Sequence, residues 1–271
     1  MALVTGGGRG IGKRIALGLA GAGAEVAVLG RTAAELESTK AQIRSLGRRG
    51  LALVADTRSE ADIIKAVESC ADGLGAPHIL VNAAGIQGPI GRFDSLSMEE
   101  WARTLQVNLV GVAYATHAAL RYMIPERRGK ILNISGGGAA GARPFFSAYA
   151  VSKAAVVRFT ETLADEVREY GIQVNVIGPG ATKTRMTEEV LAAGARAGEK
   201  GRAEAEEVWR TGGTPAEKQV ALAVFLASSE SDHVTGRFLH VNDPWPDFRN
   251  SRDLPDDLYT LRRVEPVRVP A

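Results

Sequence analysis

The feature that most constrains this chain is a cluster of glycines directly after its first apolar segment. Nine of the 31 glycines lie within the first 30 residues, and five of these lie between Gly6 and Gly12, after the apolar segment 2–5. Glycine permits sharp turns and close backbone approach, and the backbone N–H groups at the start of a helix attract phosphate. The cluster therefore predicts a strand, a phosphate-binding turn and a helix.

Two nucleotide-binding patterns compete for this loop. Residues from Gly7 to Lys13 match the first part of the P-loop of nucleoside triphosphatases, but Arg14 stands where that pattern needs a Ser or Thr hydroxyl for magnesium. A dinucleotide-binding turn needs the same strand, loop and helix without that hydroxyl. The dinucleotide interpretation is favoured, and a plain strand-to-helix turn is the alternative.

Apolar segments alternate with segments of helical periodicity along the chain. The apolar segments are 2–5, 25–29, 51–54, 78–82, 130–135, 172–177 and 237–241, and the helical ones are 11–22, 32–46, 59–73, 97–124, 147–170 and 214–228. Apolar segments without alternation are typical of parallel strands covered on both faces. The pattern predicts one α/β domain over residues 1–242, a Rossmann-type doubly wound parallel sheet of about seven strands, with Gly171 as a left-handed helix stop.

Two segments depart from this alternation. Residues 185–213 are rich in Ala, Gly, Glu and Arg, which predicts short mobile helices that form a lid. Residues 243–271 hold several Pro residues and Trp245 and are predicted to form a C-terminal extension, which wraps over a neighbouring subunit or closes a substrate pocket.

Composition and charge exclude several functional classes. The 33 basic and 31 acidic residues are mixed along the chain and give a net charge of +2, so neither nucleic acid nor an anionic membrane is an expected partner. The longest uncharged stretches, 73–91 and 104–120, contain proline or amide residues and do not fit a membrane span. The single cysteine, Cys70, permits neither an internal disulfide nor a structural zinc site. With no signal peptide visible, we expect a cytoplasmic protein without a metal.

The residues after the second strand indicate the type of dinucleotide. Enzymes that prefer NAD usually carry an acid at this point, whereas the 2′-phosphate of NADP needs cations. Here Gly30 is followed by Arg31, and Arg9 in the glycine loop adds a second guanidinium. The charges favour NADP(H), with NAD(H) as the alternative cofactor; both arginines could also be merely solvated.

A tyrosine and a lysine four residues apart form the main candidate for catalysis. Tyr149 and Lys153 share one helix face with Val156, Thr160 and Leu163. An ammonium about 4 Å from a phenol, at an effective dielectric near 20, favours the phenolate by roughly 4 kcal/mol, or about three pKa units. Such a tyrosine serves as a general acid or base. The alternative is a core tyrosine beside a lysine that extends to solvent.

Other polar residues lie where the predicted strands end. Asn82 and Gly85 follow the fourth strand, at the sheet edge where ligands bind in such folds. Asp56 follows the third strand and either accepts a hydrogen bond from an adenine amino group or caps the next helix. Asn108 lies on an apolar helix face, where its carboxamide must find partners and has either a structural or a functional role.

In their order and spacing these residues resemble the short-chain dehydrogenase/reductase family. The resemblance covers about residues 1–242, and it includes residues 5–12, Asp56, 82–85, Asn108, Tyr149, Lys153, Pro179, Gly180, Thr184, Thr235 and Gly236. It implies a Rossmann fold, a nicotinamide cofactor, a small-molecule carbonyl or alcohol substrate, and a homotetramer or homodimer.

The resemblance also implies residue roles. Tyr149 is the expected proton donor or acceptor, Lys153 the residue that binds the nicotinamide ribose and lowers the pKa of the tyrosine, and Asn108 the residue that holds a water in a proton relay. Thr184 and the backbone of Thr182 are expected to hold the carboxamide. The full set expected to bind the cofactor is Gly6, Gly8, Arg9, Gly10, Ile11, Gly12, Arg31, Asp56, Thr57, Asn82, Ala83, Gly85, Lys153, Pro179, Gly180, Thr182 and Thr184.

One departure from the family concerns its catalytic serine. That serine stands thirteen residues before the tyrosine, which in this chain is Gly136, and Ser135 lies one residue too early. A hydroxyl that polarises a carbonyl contributes about 2–4 kcal/mol to transition-state stabilisation, by analogy with oxyanion-hole donors. Three outcomes are open: the glycines after Ser135 let it turn into the site, Ser147 replaces it, or the enzyme is slow on simple ketones.

The sequence thus predicts an NADP(H)-dependent oxidoreductase that interconverts a ketone and a secondary alcohol. Its pocket is expected to be formed by residues 86–93, 136–146 and 185–213, with Arg143 facing either an acidic substrate group or solvent. A dinucleotide-binding regulator without catalysis is the alternative, supported by Gly136. A Rossmann methyltransferase predicts an acid after the second strand and no Tyr-Lys pair, and the sequence meets neither expectation.

Overall fold

A computed structural model describes residues 1–250 and 254–262, which form a parallel seven-stranded sheet. The strand order is β3-β2-β1-β4-β5-β6-β7. The strands are β1 (Ala2–Thr5), β2 (Val26–Gly30), β3 (Gly50–Val54), β4 (Ile79–Asn82), β5 (Gly129–Ile134), β6 (Ile172–Gly178) and β7 (Phe238–His240). This is the order of doubly wound dinucleotide-binding sheets, extended by one strand.

Helices connect the strands and cover both faces of the sheet. Their bounds are α1 (Gly10–Gly21), α2 (Ala33–Ser45), α3 (Glu60–Leu74), α4 (Met98–Leu105), α5 (Gly111–Glu126), α6 (Ser147–Glu166), α7 (Arg185–Ala193), α8 (Gly198–Thr211) and α9 (Ala216–Ala227). A π-helical turn, Gln106–Val110, joins α4 to α5. No helix in the described part of the chain combines the length and apolarity that crossing a membrane requires.

The apolar strands alternate their side chains between two cores. Val4 and Val28 pack on the side of α1, α2 and α9, whereas Leu3 and Leu29 pack on the side of α3, α5 and α6. Because both faces are covered, the strands carry apolar residues on both sides instead of alternating apolar with polar ones. The predicted fold class is therefore confirmed, and the strand and helix boundaries mostly differ from those predicted by one or two residues.

The sheet creates a crevice where its strand order reverses. β1 pairs with β2 on one side, with Thr5 opposite Leu29, and with β4 on the other, with Thr5 opposite Asn82. The connections after β1 and β4 leave in opposite directions, so a crevice opens at the carboxyl ends of these strands. This crevice is where the glycine loop lies.

Three local features refine the sequence prediction. The segment predicted as one helix over 97–124 is interrupted by the π-helical turn. Gly171 has φ of 65° and ψ of 25°, which confirms the left-handed stop, although α6 itself ends at Glu166 and a short 3-10 turn follows. The segment 185–213 forms α7, a 3-10 turn and α8.

The described part of the predicted C-terminal extension packs on its own chain. Trp245 and Phe248 are buried in the core on the α1 and α9 side, and Leu258 and Tyr259 pack against that core. The N–H of Phe238 in β7 donates to the carbonyl of Tyr259 at 2.7 Å. Residues 251–253 and 263–271 of that extension lie outside the described residues.

Candidate active site

The glycine loop leaves backbone groups exposed to the crevice. Gly6 has φ of +66°, and a Cβ built on it would lie 2.8 Å from Ala84; a Cβ on Gly12 would lie 2.4 Å from the carbonyl oxygen of Gly6. The N-cap residue of α1, Arg9, makes no side-chain capping bond, and the first turn contains no acid. The free N–H groups and the helix dipole suit a pyrophosphate, so the loop fits a dinucleotide.

Thr182 and Thr184 form the opposite wall of this cleft. Thr184 is the N-cap of α7, in a capping box with Thr187. Its Cγ2 lies 3.8 Å from the point that a Cβ on Gly10 would occupy. The hydroxyl of Thr182 accepts a hydrogen bond from Gln219 at 2.6 Å, and its carbonyl accepts one from Thr187 at 2.8 Å. Thr184 therefore approaches the glycine loop, and the hydrogen bonds of both threonines help to hold α7 in position.

Near the end of β2, the two candidate arginines differ in their surroundings. Arg9 Nη1 donates to Glu35 Oε1 at 3.1 Å, so its charge is partly balanced. Glu35 lies in the first turn of α2, and its Cβ is 3.0 Å from the point that a Cβ on Gly8 would occupy. Arg31, at the end of β2, is exposed, and its charge helps to lower the pKa of Asp56. Glu35 was not among the predicted site residues, although an acid so soon after the second strand is a candidate partner for Arg9.

Asp56 has a partner that the sequence analysis did not predict. The guanidinium of Arg58 binds its carboxylate with contacts down to 2.6 Å, and these hydrogen bonds are the largest cause of its lowered pKa. The N-cap of α3 is Ser59, which accepts a hydrogen bond from Asp62 N–H, so the helix-capping alternative for Asp56 is wrong. Thr57, between these residues, is buried beneath Gly111.

Residues after β4 are held in place by buried hydrogen bonds. Asn82 donates to Asn133 Oδ1 at 2.8 Å and to Thr116 Oγ1 at 3.1 Å. Thr5 Oγ1 accepts from the N–H groups of Ala83 and Ala84, each at 3.2 Å. The Asn82 side chain thus links the end of β4 to β5 and α5, and the hydrogen bonds of Thr5 link the loop after β4 to the start of the glycine loop.

Asn108 is buried in the π-helical turn, and its side chain is fully engaged. Its Oδ1 accepts from Ile86 N–H at 2.8 Å, while its Nδ2 donates to the Ile86 carbonyl at 2.9 Å and to Ser152 Oγ at 3.1 Å. The change to i→i+5 bonding in a π turn leaves a backbone carbonyl without its α-helical donor, and such turns are frequent at functional sites. The side chain therefore positions the segment around Ile86 and Gly85.

Tyr149 and Lys153 extend from the first turns of α6 into a cavity of about 650 Å³. Both side chains are buried: Tyr149 is 8% exposed and Lys153 is 5% exposed. Lys153 Nζ donates to the carbonyl of Ile134 at 2.9 Å and lies 5.6 Å from the centroid of the Tyr149 ring. The cavity extends from the glycine-loop side, at Ile11, to the α7 and α8 segment.

Burial dominates the electrostatics of this pair. It raises the pKa of Tyr149, with Arg143 acting in the opposite direction, and it lowers the pKa of Lys153 to about 8. This differs from the expectation that Lys153 brings the pKa of Tyr149 below its usual value. The lysine is directed at the Ile134 carbonyl, and its lowered pKa weakens it as a positive charge at basic pH.

The hydroxyl groups considered as substitutes for the missing serine have different environments. Ser135 lines the cavity wall, and its Oγ is buried without a hydrogen-bond partner among the described residues. Ser147 Oγ instead accepts from Trp101 Nε1 at 3.2 Å, and Ser147 does not contribute to the cavity wall. A Cβ on Gly136 would lie 2.3 Å from Tyr149 Oη, so no serine side chain fits there without a shift.

The family follows from a comparison with known proteins. The family model described as short chain dehydrogenase matches residues 1–194, which include the glycine loop, Asn108, Tyr149 and Lys153. The chain belongs to the short-chain dehydrogenase family.

Curated relatives match this short-chain dehydrogenase over most of their length. The 2,3-dihydro-2,3-dihydroxybenzoate dehydrogenase of Bacillus subtilis (strain 168) is 36% identical over 250 residues, covering 89% of this chain and 94% of the relative. Gluconate 5-dehydrogenase of Gluconobacter oxydans (strain 621H) is 35% identical over 249 residues, with 89% and 92% covered. The relatives are dehydrogenases and reductases, so this chain is an NAD(P)-dependent oxidoreductase.

Solved structures agree with this assignment. A variant of actinorhodin polyketide ketoreductase with NADPH superposes with a TM-score of 0.82 at 30% identity, covering 89% of this chain and 94% of that one. A xylitol dehydrogenase with bound NAD⁺ superposes with a TM-score of 0.81 at 29% identity, covering 88% and 96%. Both kinds of nicotinamide dinucleotide thus occur among structural neighbours of this short-chain dehydrogenase.

Proposed function

We propose that this short-chain dehydrogenase interconverts a ketone and a secondary alcohol, with NADP(H) as its preferred cofactor and Tyr149 as the general acid or base. The observation that carries the proposal is the position of Tyr149 and Lys153, both buried in the wall of one cavity that reaches the glycine loop. A buried phenol at the end of a dinucleotide crevice is suited to moving a proton at a substrate oxygen.

The cofactor would be held by groups on both walls of the crevice. The backbone of the glycine loop and the N-terminus of α1 would bind the pyrophosphate, while Lys153 would bind the nicotinamide ribose and Thr184 the carboxamide. When bound, the nicotinamide supplies or accepts the hydride. The remaining chemistry falls to the residues of this chain.

Tyr149 would give its hydroxyl proton to the substrate oxygen during reduction, and would take it back during oxidation. Burial raises the pKa of Tyr149, so the hydroxyl is protonated at neutral pH and has the proton that reduction requires. Lys153 would support the phenolate left behind. Asn108 would act by positioning the segment at Ile86, and a backbone carbonyl of its π turn would bind a water of the proton relay.

Of the two serines considered, Ser135 is the better candidate for polarising the carbonyl. It lines the cavity and its hydroxyl is not committed to another described residue, whereas Ser147 is engaged by Trp101. The one-residue offset from Gly136 means that a rotation of Ser135 into the cavity would be needed. Its contribution is therefore expected at the lower end of the oxyanion-hole range.

The preference for NADP(H) rests mainly on Arg31. Its guanidinium is exposed at the end of β2, beside the position of a ribose 2′-phosphate in such folds. Arg9 would help less, since Glu35 already binds it. We further propose a homotetramer or homodimer in the cytoplasm, and light scattering of the purified protein measures which assembly forms.

The experiment that tests the function is a screen of ketones, sugars and polyols, each with NADPH, NADP⁺, NADH and NAD⁺, followed by absorbance at the nicotinamide band. Turnover of a ketone or secondary alcohol with higher kcat/KM for the phosphorylated cofactor supports the proposal. Tight NADPH binding without turnover of any compound contradicts it and favours a regulator.

A further inference from the structure

Gly136, which stands at the position of the expected serine, and the two glycines after it make room for two side chains. At Gly136 the space of a Cβ is taken by Tyr149 Oη. At Gly137 it is taken by the guanidinium of Arg143, with Nη1 at 3.0 Å and Cζ at 3.3 Å. Gly138 has φ of +93°, and a Cβ there would lie 3.2 Å from Arg143 Cβ. The lack of side chains at these glycines thus allows Arg143 to lie beside the segment that contacts Tyr149.

The guanidinium of Arg143 is partly buried and has spare hydrogen-bond donors. It stacks on the Phe146 ring, 4.2 Å from the centroid, and its side chain is 25% exposed. Glu204 of α8 forms an ion pair with it at 3.8 Å, a distance that is too long for a hydrogen bond. In residues 1–250 and 254–262 no acceptor makes a hydrogen bond to it, so the planar fork of donors is available to a ligand.

The cavity around Arg143 is apolar but carries a positive charge. Its described lining includes three cations, Arg143, Lys153 and Lys200, against one acid, Glu204. Ala142, Phe145, Phe146 and Val208 supply apolar surface nearby. An apolar wall strengthens the attraction between a guanidinium and an oxyanion, and the fork of Arg suits the two oxygens of such a group.

We infer that Arg143 binds an anionic group of the substrate, a carboxylate or a phosphate ester. The inference rests on the proposed function and names the substrate class of that same site. Because Gly136 and Gly137 are consecutive, with Cα atoms about 3.8 Å apart, the Tyr149 hydroxyl and the guanidinium belong to one short wall. A compact substrate fits this arrangement, with its carbonyl or hydroxyl oxygen at Tyr149 and its anionic group at Arg143. Bound in this way, the anionic group also fixes the orientation of the reacting carbon.

The test compares pairs of substrates in which one member carries an anionic group and the other does not. The pairs are 3-hydroxybutyrate with 3-hydroxybutanamide, gluconate with gluconamide, and glycerol 3-phosphate with glycerol, each assayed with NADP⁺. The wild-type enzyme is expected to prefer an anionic member at least tenfold in kcat/KM. A preference for the carboxylates or for the phosphate ester identifies which oxyanion the site takes.

Two variants separate a substrate contact from a structural role. Arg143→Gln is expected to lower kcat/KM for the anionic compound at least 100-fold and to change that for its neutral partner less than threefold. Gly137→Ala keeps the charge but displaces the guanidinium, so it should reduce the preference for the anion by a smaller factor. Arg44→Gln, in an exposed position of α2, is the matched control and should leave both members of each pair unchanged.

Three results overturn the inference: equal rates on both members of each pair, equal losses on both in Arg143→Gln, or an unchanged preference in that variant. If no compound is turned over with either cofactor, the proposed function fails separately. The subsite is then decided by calorimetric titration of the NADP⁺-saturated protein with malonate and with malonamide. Malonate binding that Arg143→Gln abolishes supports the subsite, and equal or absent binding of the two probes overturns it.

Discussion

Gly136 and Tyr149 are in direct contact: a Cβ added to the glycine would lie 2.3 Å from the tyrosine hydroxyl and 3.0 Å from its Cε1 and Cζ. The family normally places a hydroxyl donor at this position, whereas here the tyrosine hydroxyl itself occupies the space that such a side chain would need. The contact makes the position of Tyr149 sensitive to any side chain introduced at residue 136.

Restoring the family serine should impair this enzyme. Gly136→Ser forces the buried Tyr149 ring to move, and a small misplacement of a catalytic group is costly, so we expect kcat/KM to fall at least tenfold. Steady-state kinetics on any substrate found in the screen measure the effect. Gly21→Ser, at the end of α1 and outside the cavity, is the control, because a Cβ at Gly21 meets no atom within 4 Å. A Gly136→Ser enzyme as fast as wild type or faster would refute this account of the contact.

Removing the Ser135 hydroxyl should slow catalysis moderately. Ser135→Ala deletes a buried hydroxyl without a described partner, so stability should stay the same or rise slightly, while kcat/KM should fall by about 30-fold if the hydroxyl polarises the carbonyl. Kinetics together with a thermal melt distinguish the two effects. An unchanged kcat/KM removes Ser135 from the mechanism.

Arg31 should determine the cofactor preference. Arg31→Gln removes the exposed cation at the end of β2, and we expect kcat/KM for NADPH to fall at least tenfold while that for NADH changes less than threefold. Arg44→Gln serves again as the control on a neighbouring helix. Parallel losses with both cofactors would show that Arg31 does not contact the 2′-phosphate.

Lys153 should destabilise the cofactor-free protein in a pH-dependent manner. Burial lowers its pKa from 10.5 to about 8, so the folded state resists protonation and the unfolded state does not. At about 1.4 kcal/mol per pKa unit, this costs about 3 kcal/mol below pH 8, and the cost disappears as pH rises from 8 to 10.5. Lys153→Met should therefore raise the free energy of unfolding at pH 7, with the difference closing by about pH 10.5.

Urea denaturation of wild type and Lys153→Met across this pH range tests the statement. Lys65→Met, at an exposed position of α3, controls for the general effect of removing a lysine. A Lys153→Met protein that is less stable at pH 7 would mean that the hydrogen bond to Ile134 outweighs the cost of burying the charge.

The fold was predictable because apolar periodicity and the glycine loop determine it together. Segments such as Ala2–Thr5 and Val26–Gly30 are almost entirely apolar because helices cover both sheet faces, and no distant contact changes that prediction. The π-helical turn at Asn108 was not predictable, because no residue type distinguishes i→i+5 from i→i+4 bonding and Asn108 is held by Ile86, 22 residues away.

Side-chain contacts that periodicity does not indicate account for the remaining differences at the site. Glu35 balances Arg9 only because α2 packs against the glycine loop, and Arg58 binds Asp56 through a turn that periodicity does not indicate. The position of the Arg143 guanidinium beside Gly137 depends on the conformation of a loop that includes Phe145, whose φ is 70°. The candidate residues could be named from the sequence, but only the three-dimensional arrangement shows which of their polar groups are already bonded to other side chains.

The most direct test of the proposed mechanism is Tyr149→Phe. The variant keeps the buried ring in α6 and removes only the hydroxyl, so NADPH affinity, measured by fluorescence titration, should stay within about twofold of wild type. Loss of the general acid or base should lower kcat/KM by about 10²–10⁴-fold. A Tyr149→Phe enzyme that binds NADPH normally and keeps more than about a tenth of wild-type kcat/KM would contradict the central role of this tyrosine.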